Sequence, residues 1–182
     1  MGDRRPSVVL TGFMGTGKTT VGRVLAERLG YEFVDTDAII VDRHGPITEI
    51  FADHGEDHFR ALERELAAEL AERDGLVVST GGRMLVDPLN ADVFERRHVV
   101  VALTATPDTI FLRVGGDRAA ESRPMFAGTD VRSRIAELLA ERATAYARFH
   151  QVATDDRWPN QIADEIVALV DHVTADDTHR PS

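Results

Sequence analysis

Eight residues near the start of the chain, Gly12–Thr19, combine three glycines, a lysine and a threonine at a spacing that suits phosphate binding. Their sequence, GFMGTGKT, fits the pattern G-x-x-x-x-G-K-[ST] and lies between an apolar run, Ser7–Thr11, and an amphipathic helix, Thr19–Leu29. Glycines let backbone N–H groups turn inward around a β-phosphate, and the helix N-terminus adds its dipole. Lys18 is expected to reach the β- and γ-phosphates as a catalytic group, and Thr19 to ligate Mg²⁺. The residues that we predict to bind ATP here are Gly12, Gly15, Thr16, Gly17, Lys18, Thr19 and Thr20.

Lys18 is the only lysine of the chain, against twenty arginines. A compact ammonium on a flexible stem suits a phosphate, whereas the planar guanidinium fork suits a carboxylate. An accident of composition is the alternative explanation. The formal net charge of −10 argues against nonspecific binding to nucleic acid, because that requires a basic face. An anionic ligand would instead need arginines placed locally.

Two carboxylates, Asp35 and Asp37, follow a short predicted strand, Phe33–Asp35. The carboxyl ends of parallel strands form the edge at which ligands of α/β sheets bind. One carboxylate could hold a water molecule on Mg²⁺, and the other could accept the proton of an acceptor hydroxyl. The alternative is that the pair only caps the next helix.

The chain has 182 residues, of which 43% are hydrophobic, and this suits one compact domain over residues 1–174. Residues 175–182 are polar and are expected to form a disordered tail. With no cysteine, a reducing cytoplasm is the natural compartment. No segment resembles a signal peptide or is long and apolar enough to span a membrane.

Short apolar runs alternate with helical patterns along the chain, which predicts a parallel sheet with helices on both faces. The expected fold is a three-layer α/β/α kinase with about five strands. A charged, glycine-rich stretch, Gly115–Gly128, lacks periodicity and is expected to be a mobile lid. The predicted strands are Ser7–Thr11, Phe33–Asp35, Leu76–Ser79, His98–Leu103 and Gln151–Thr154. The predicted helices are Thr19–Leu29, Ala38–Arg43, Ile47–His54, Asp57–Arg73, Pro107–Val114, Val131–His150 and Pro159–Val173.

From about Ser7 to Val173 the sequence resembles the shikimate kinase family, a branch of the nucleoside monophosphate kinase-like P-loop proteins. The resemblance depends on several segments in a fixed order: GFMGTGKTTVGRVLAERLG, FVDTD, ITEIFADHGEDHFRALE, VVSTGG, the RPM after the glycine-rich stretch, and ERATAY.

The resemblance implies roles on the acceptor side of the site. Asp37 would bind the acceptor hydroxyl and act as the catalytic base or orienting group. Arg60 and Arg142 would grip the carboxylate of the acceptor, for which arginine forks are well suited. Gly81 and Gly82 would bring backbone N–H groups against the acceptor.

The resemblance also implies roles around the metal and the nucleotide. Asp35 would contact Mg²⁺ through water, and Ser79 would lie in the water shell of the metal. Arg113 would lie near the adenine. Arg123 would come from the lid to bind ATP and to neutralise the transferring phosphate as a catalytic group.

At one position the chain departs from the family, because Arg83 follows Gly82 where the family has a third glycine. We include Arg83 among the predicted acceptor-binding residues, since its guanidinium could enter the pocket and alter acceptor choice. The alternative is that it points away and pairs with a nearby carboxylate.

These features favour a monomeric shikimate kinase that uses MgATP. A kinase of the same design that acts on another polyhydroxylated acid or ring is the first alternative, and a non-catalytic nucleotide-binding module is the second. Other polar and aromatic residues are expected to be structural: Glu63 and Glu65 on a solvated helix face, and Trp158 in packing beside Pro159.

Overall fold

The protein folds around a parallel five-stranded sheet with helices on both faces, as the alternating pattern predicts. A computed structural model describes residues 5–177. The strand order is β2-β3-β1-β4-β5, and all four pairings are parallel. The strands are β1 Val8–Thr11, β2 Glu32–Asp35, β3 Leu76–Ser79, β4 Val99–Thr104 and β5 His150–Ala153. Because β1 is central, the loop after it opens at the middle of the carboxyl edge of the sheet.

The helices agree with the sequence pattern except at three places, and the helix predicted over Val131–His150 ends at Ala147 because His150 begins β5. They are α1 Lys18–Leu29, α2 Thr36–His44, α3 Ile47–Ala71, α4 Pro88–Glu95, α5 Pro107–Val114, α6 Ala119–Ser122, α7 Val131–Ala147 and α8 Pro159–Asp177. The backbone of α3 is broken at Gly55, where φ is 82° and ψ is 171°, so two helical stretches meet at a kink.

Helix α4 is the first difference from the sequence-based assignment, which left this segment unassigned. It follows a 3₁₀ turn, Met84–Val86, and begins behind Asp87, whose side chain accepts a hydrogen bond from the Leu89 amide. The short length of α4 hides its periodicity, since eight residues give only about two turns.

The predicted lid is the second difference, because it is not irregular. It contains two 3₁₀ turns, Gly116–Arg118 and Pro124–Phe126, on either side of α6. Ala119 and Phe126 are buried and pack into the main core. Two apolar anchors separated by seven residues are too few to produce a periodic signal, yet they fold the segment locally.

The chain end is the third difference. Helix α8 continues to Asp177, three residues into the predicted tail, and residues 178–182 lie outside the described part of the chain. In the described range no helix has the length and apolar character needed to cross a membrane.

Two apolar cores lie on opposite faces of the sheet because side chains of a strand alternate between faces. Helices α1 and α8 cover one core, and Leu25 and Ile166 are among its buried residues. Helices α3, α4 and α7 cover the other, with Leu66, Phe94 and Ile135. The sheet is therefore held rigidly from both sides, and its carboxyl edge remains open.

Candidate active site

A cleft of about 880 Å³ opens at the carboxyl edge of the sheet. It is lined by the phosphate loop, the ends of β2, β3 and β5, and residues of α3, α5, α7 and the predicted lid. Every residue that the sequence assigns to a site lines this cleft except Gly12. The structure thus brings together side chains that are up to 126 positions apart in the chain, from Thr16 to Arg142.

The phosphate loop has the geometry that its glycines predict. Gly12 has φ +131°, and a β-carbon there would lie 2.2 Å from the Leu103 carbonyl oxygen, so only glycine fits. The Thr16 hydroxyl donates to the Phe13 carbonyl at 2.7 Å and closes the loop. Gly12 itself does not line the cleft, but its carbonyl accepts from Lys18 and its backbone approaches β4 closely.

The Lys18 ammonium folds back across this loop. It donates to the carbonyl oxygens of Gly12 at 2.8 Å and Phe13 at 3.0 Å. Burial lowers its pKa to about 8, because desolvation outweighs the attraction of Asp37 and Asp35. Within residues 5–177 the hydrogen bonds of this ammonium go to backbone carbonyls, so an arriving phosphate can take them over.

Arg113, on α5, joins the phosphate loop to the end of β5. One guanidinium nitrogen donates to the Gly15 carbonyl at 3.2 Å and to the Thr154 hydroxyl at 2.9 Å, and the other donates to the Thr154 carbonyl at 2.7 Å. Trp158 lines the same side of the cleft and is 76% exposed. This exposure contradicts the expectation that Trp158 serves in packing beside Pro159.

Oxygen atoms from Thr19, Asp35 and Ser79 lie at adjacent strand ends. The Thr19 hydroxyl donates to Asp35 Oδ2 at 3.2 Å, and Asp35 is the register partner of Ser79. Asp35 Oδ1 also accepts from the amides of Asp37 and Ala38, so this carboxylate caps α2 as well. Hydroxyl and carboxylate oxygens fit Mg²⁺, which prefers one or two carboxylates completed by water and phosphate. Residues 5–177 contain no group of three or more histidine, aspartate or glutamate side chains able to hold a metal ion.

Asp37 lies in the first turn of α2 and faces the cleft. Its pKa is raised, first by burial and then by the charge of Asp35, while Lys18 and Arg60 act in the opposite direction. A raised pKa brings a carboxylate closer to the range in which it can take a proton from a hydroxyl. The neighbouring Gly81 amide donates to the Thr36 hydroxyl at 3.0 Å, so in the free protein it does not point unpaired at the acceptor.

Arg142, on α7, is a buried cation without a carboxylate. It is only 6% exposed, and its guanidinium lies 5.1 Å from the centre of the Phe13 ring. No acidic side chain of the described residues forms an ion pair with it. The Tyr146 hydroxyl on the same helix donates to the Gly82 carbonyl at 2.5 Å and fixes the glycine turn beside it. A buried arginine of this kind favours an anionic ligand.

Arg60, on α3, is enclosed by two carboxylates of its own helix. It donates to Glu63 at 2.6 Å and to Glu56 at 2.9 Å. Glu63 is buried, with a side chain only 3% exposed, so the expectation of a solvated face is wrong for Glu63, although Glu65 is exposed. Position 63 lies four residues after Phe59, which places it on the buried stripe, and this spacing was the signal that sequence reasoning passed over.

Arg83 lies at the rim of the cleft and pairs with Glu56 at 3.1 Å. Its φ of −109° and ψ of −9° are ordinary for any residue, so the backbone does not need the glycine of the family here. The two sequence-based alternatives are not exclusive, because the side chain both lines the cleft and pairs with a carboxylate.

Arg123 extends from the predicted lid towards the phosphate loop. A guanidinium nitrogen lies 3.6 Å from the Met14 sulfur, and no carboxylate of the described chain pairs with it. It therefore lies within the cleft as a second cation available to an anion.

Comparisons with known proteins agree with this arrangement. The family model described as "Shikimate kinase" matches residues 14–171. The chain belongs to the shikimate kinase family. It is 46% identical over 142 residues to a shikimate kinase of Geobacter metallireducens, covering 78% of each chain. It is 42% identical over 163 residues to one of Pelotomaculum thermopropionicum, covering 88% of this chain and 93% of that protein.

A solved structure supports the assignment to this family. The shikimate kinase of Acinetobacter baumannii, in complex with shikimate, superposes with a TM-score of 0.83 and 33% identity, covering 91% of this chain and 93% of that one. The match spans the sheet and its flanking helices, so the P-loop kinase fold extends over nearly the whole domain.

Proposed function

We propose that this chain is an ATP-dependent kinase that transfers the γ-phosphoryl group of ATP to a hydroxyl of shikimate. One observation carries the proposal: Arg142, buried and without a carboxylate partner among residues 5–177, faces the same cleft as the phosphate loop and Asp37. An anionic acceptor held at Arg142 would present its hydroxyls to Asp37. The acceptor would then lie between Arg142 and the nucleotide. Family membership supports the choice of shikimate among small hydroxylated acids.

The transfer follows from the positions of three groups. Lys18 leaves its backbone partners for the β- and γ-phosphate oxygens and neutralises charge there. The acceptor hydroxyl oxygen forms a bond to the γ-phosphorus, and the bond from that phosphorus to the bridging oxygen of ADP breaks. Asp37 accepts the hydroxyl proton. Arg123 supplies a second cation to the transferring group, and closure of the lid excludes water that would otherwise hydrolyse ATP.

We also propose Mg²⁺ as the cofactor. Thr19 would ligate it directly, and Asp35 and Ser79 would hold its water shell, in keeping with their adjacent oxygen atoms. When bound, the metal would supply positive charge that neutralises the phosphates of ATP.

A monomer in the cytoplasm is our proposal for state and compartment. All of the predicted site residues come from one chain, and the sequence contains no cysteine. Sedimentation of the protein at its working concentration tests whether it is a monomer.

A related kinase for another polyhydroxylated acid is the second candidate, and Arg83 at the rim of the cleft is the observation that favours it. The test is an ADP-release assay over a panel of hydroxylated acids with shikimate first. The proposal requires turnover on shikimate in the usual enzyme range of about 1–1000 per second. Preference for another acid would support the second candidate, and no turnover on any acid would support a non-catalytic nucleotide-binding module.

Two variants test whether Arg142 binds the carboxylate of the acceptor. Arg142→Gln should raise the KM for shikimate far more than the KM for ATP. Arg148→Gln is a matched control, because Arg148 lies at the end of the same helix and pairs with Asp92 and Glu95 outside the cleft. Equal effects of the two substitutions would contradict the placement of the carboxylate at Arg142.

A further inference from the structure

A cluster of four charged side chains lies at the acceptor end of the cleft: Arg60, Glu56, Glu63 and Arg83. The four side chains differ in how far they are exposed to solvent. Glu63 is buried, whereas Glu56 and Arg83 are about half exposed, with side-chain exposures of 50% and 51%. Glu56 and Arg83 can therefore move without disturbing the core, and Glu63 cannot.

One oxygen atom links the cluster. Glu56 Oε1 accepts from Arg60 Nε at 3.2 Å, from Arg60 Nη2 at 2.9 Å and from Arg83 Nη1 at 3.1 Å. Glu63 accepts from the remaining terminal nitrogen of Arg60 at 2.6 Å. Each of the three nitrogens of the Arg60 guanidinium already donates to a carboxylate of the protein.

This arrangement conflicts with the task proposed for Arg60. An acceptor carboxylate binds an arginine best through two parallel N–H donors, and Glu56 uses two nitrogens on one edge of the guanidinium. A third carboxylate beside Glu56 and Glu63 would also meet like-charge repulsion. One carboxylate must therefore move aside, and the exposed Glu56 is the one able to do so.

We propose that Arg83 is a positioning residue that holds Glu56 aside while the acceptor carboxylate binds Arg60. The charges support this exchange. Within the cluster, Arg60 and Arg83 together balance the charges of Glu56 and Glu63. Without Arg83 the arriving carboxylate would meet a net negative cluster, to which the nearby Asp37 would add its charge. Arg83 contacts Glu56, and through it sets how readily Arg60 becomes available. The inference rests on the proposed function, since it needs an acceptor that carries a carboxylate.

The test is a double-mutant cycle with Arg83→Gln, Glu56→Gln and the double variant. Arg83→Gln should raise the KM for shikimate about fivefold, with kcat and the KM for ATP changed much less. In the Glu56→Gln background the same substitution should change the KM for shikimate by less than about twofold, because a neutral amide no longer competes for Arg60. Arg83→Lys should restore most of the loss, since an ammonium also neutralises Glu56.

A direct contact between Arg83 and the acceptor predicts a different pattern. The loss would then be equal in the Glu56→Gln background, and that result overturns the proposal. A gain on shikimate in Arg83→Gln or Arg83→Gly overturns it as well.

Arg64→Gln serves as the charge control. Arg64 lies on the same helix, one turn after Arg60, and pairs with Asp87 outside the cleft. A rise in KM equal to that of Arg83→Gln would assign the effect to net charge alone and overturn the proposal. Wild-type turnover separates the two proposals: without phosphorylation of shikimate or another carboxylate-bearing acceptor both fail, whereas turnover without the coupled pattern removes only the role of Arg83.

Discussion

Gly81 and Asp37 lie so close together that a β-carbon at position 81 would be 2.6 Å from Asp37 Oδ1. That β-carbon would also be 3.4 Å from Glu63 Oε1. The glycine is thus required by the position of the proposed base and not by a left-handed backbone. Any side chain at position 81 must push the carboxylate away from its present place.

Gly81→Ala should therefore lower kcat/KM for the acceptor about 100-fold, the scale of a misplacement of about 1 Å at a reacting group. The fold should survive, which thermal unfolding can check. Gly82→Ala is the comparison, because its β-carbon would meet its nearest neighbour, Arg142 Nη1, at an ordinary 3.5 Å. The explanation fails if the two alanine variants lose activity equally.

Asp37→Asn should retain nucleotide binding and lose transfer by about 100-fold or more, because an amide cannot accept the hydroxyl proton. The pKa of Asp37 is raised, mainly by burial, so wild-type kcat should fall as the pH drops through that raised pKa. The free energy of unfolding should instead rise as the pH drops through this range. A raised carboxyl pKa means that the folded state binds more protons than the unfolded state, so ionised Asp37 destabilises the fold above its ordinary range.

Urea unfolding checks this sign. Asp37→Asn should be more stable than wild type at pH 7, and the difference should shrink at acid pH, where wild-type Asp37 is protonated in both states. A less stable Asp37→Asn at neutral pH would show that the carboxylate is favourably paired and not held at a cost.

Nucleotide binding should be accompanied by proton uptake at Lys18. Burial lowers the pKa of this lysine to about 8 in the free protein, and adjacent phosphates must raise it. At pH 8 the uptake should approach roughly half a proton, and affinity should fall as the pH rises above 8. Titration calorimetry in buffers of different ionisation enthalpy measures it. Lys18→Met should abolish both this uptake and phosphoryl transfer, and undiminished uptake in that variant would assign the proton elsewhere.

The predicted lid should be cut by protease in the free protein and protected when nucleotide and acceptor are both bound. Trypsin has one suitable bond in residues 115–128, after the exposed Arg118, because Arg123 precedes Pro124. Arg118→Gln should remove this cleavage and so identifies the site. Cleavage at Arg118 that is unaffected by ligands would contradict a closing lid and, with it, the catalytic role of Arg123.

The sequence predicted those parts of the fold that local chemistry determines. Each strand is a short apolar run, and the phosphate loop is a fixed pattern of glycines with one lysine, so their places were readable. The burial of Glu63 was missed because a glutamate on a helix is usually solvated, although its position four residues after Phe59 places it on the stripe that packs against the core. Helix α4 and the turns of the lid were missed because each has few apolar residues. These residues are held by packing against distant parts of the chain, as Phe126 is in the main core, and a local pattern does not show such contacts.

The position of β1 in the middle of the sheet places the residues proposed for the acceptor and those proposed for ATP in different segments of the chain. On one side, β2, α2, α3 and the turn after β3 supply Asp37, Arg60, Gly81 and Arg83 from a continuous stretch of about fifty residues. On the other side, α5 and the end of β5 supply Arg113 and Thr154 against the phosphate loop. Arg142 is the exception, since α7 carries it across to the acceptor side. Recombining residues 32–83 between relatives, with Arg142 retained, should therefore transfer acceptor preference while the handling of ATP stays with the recipient.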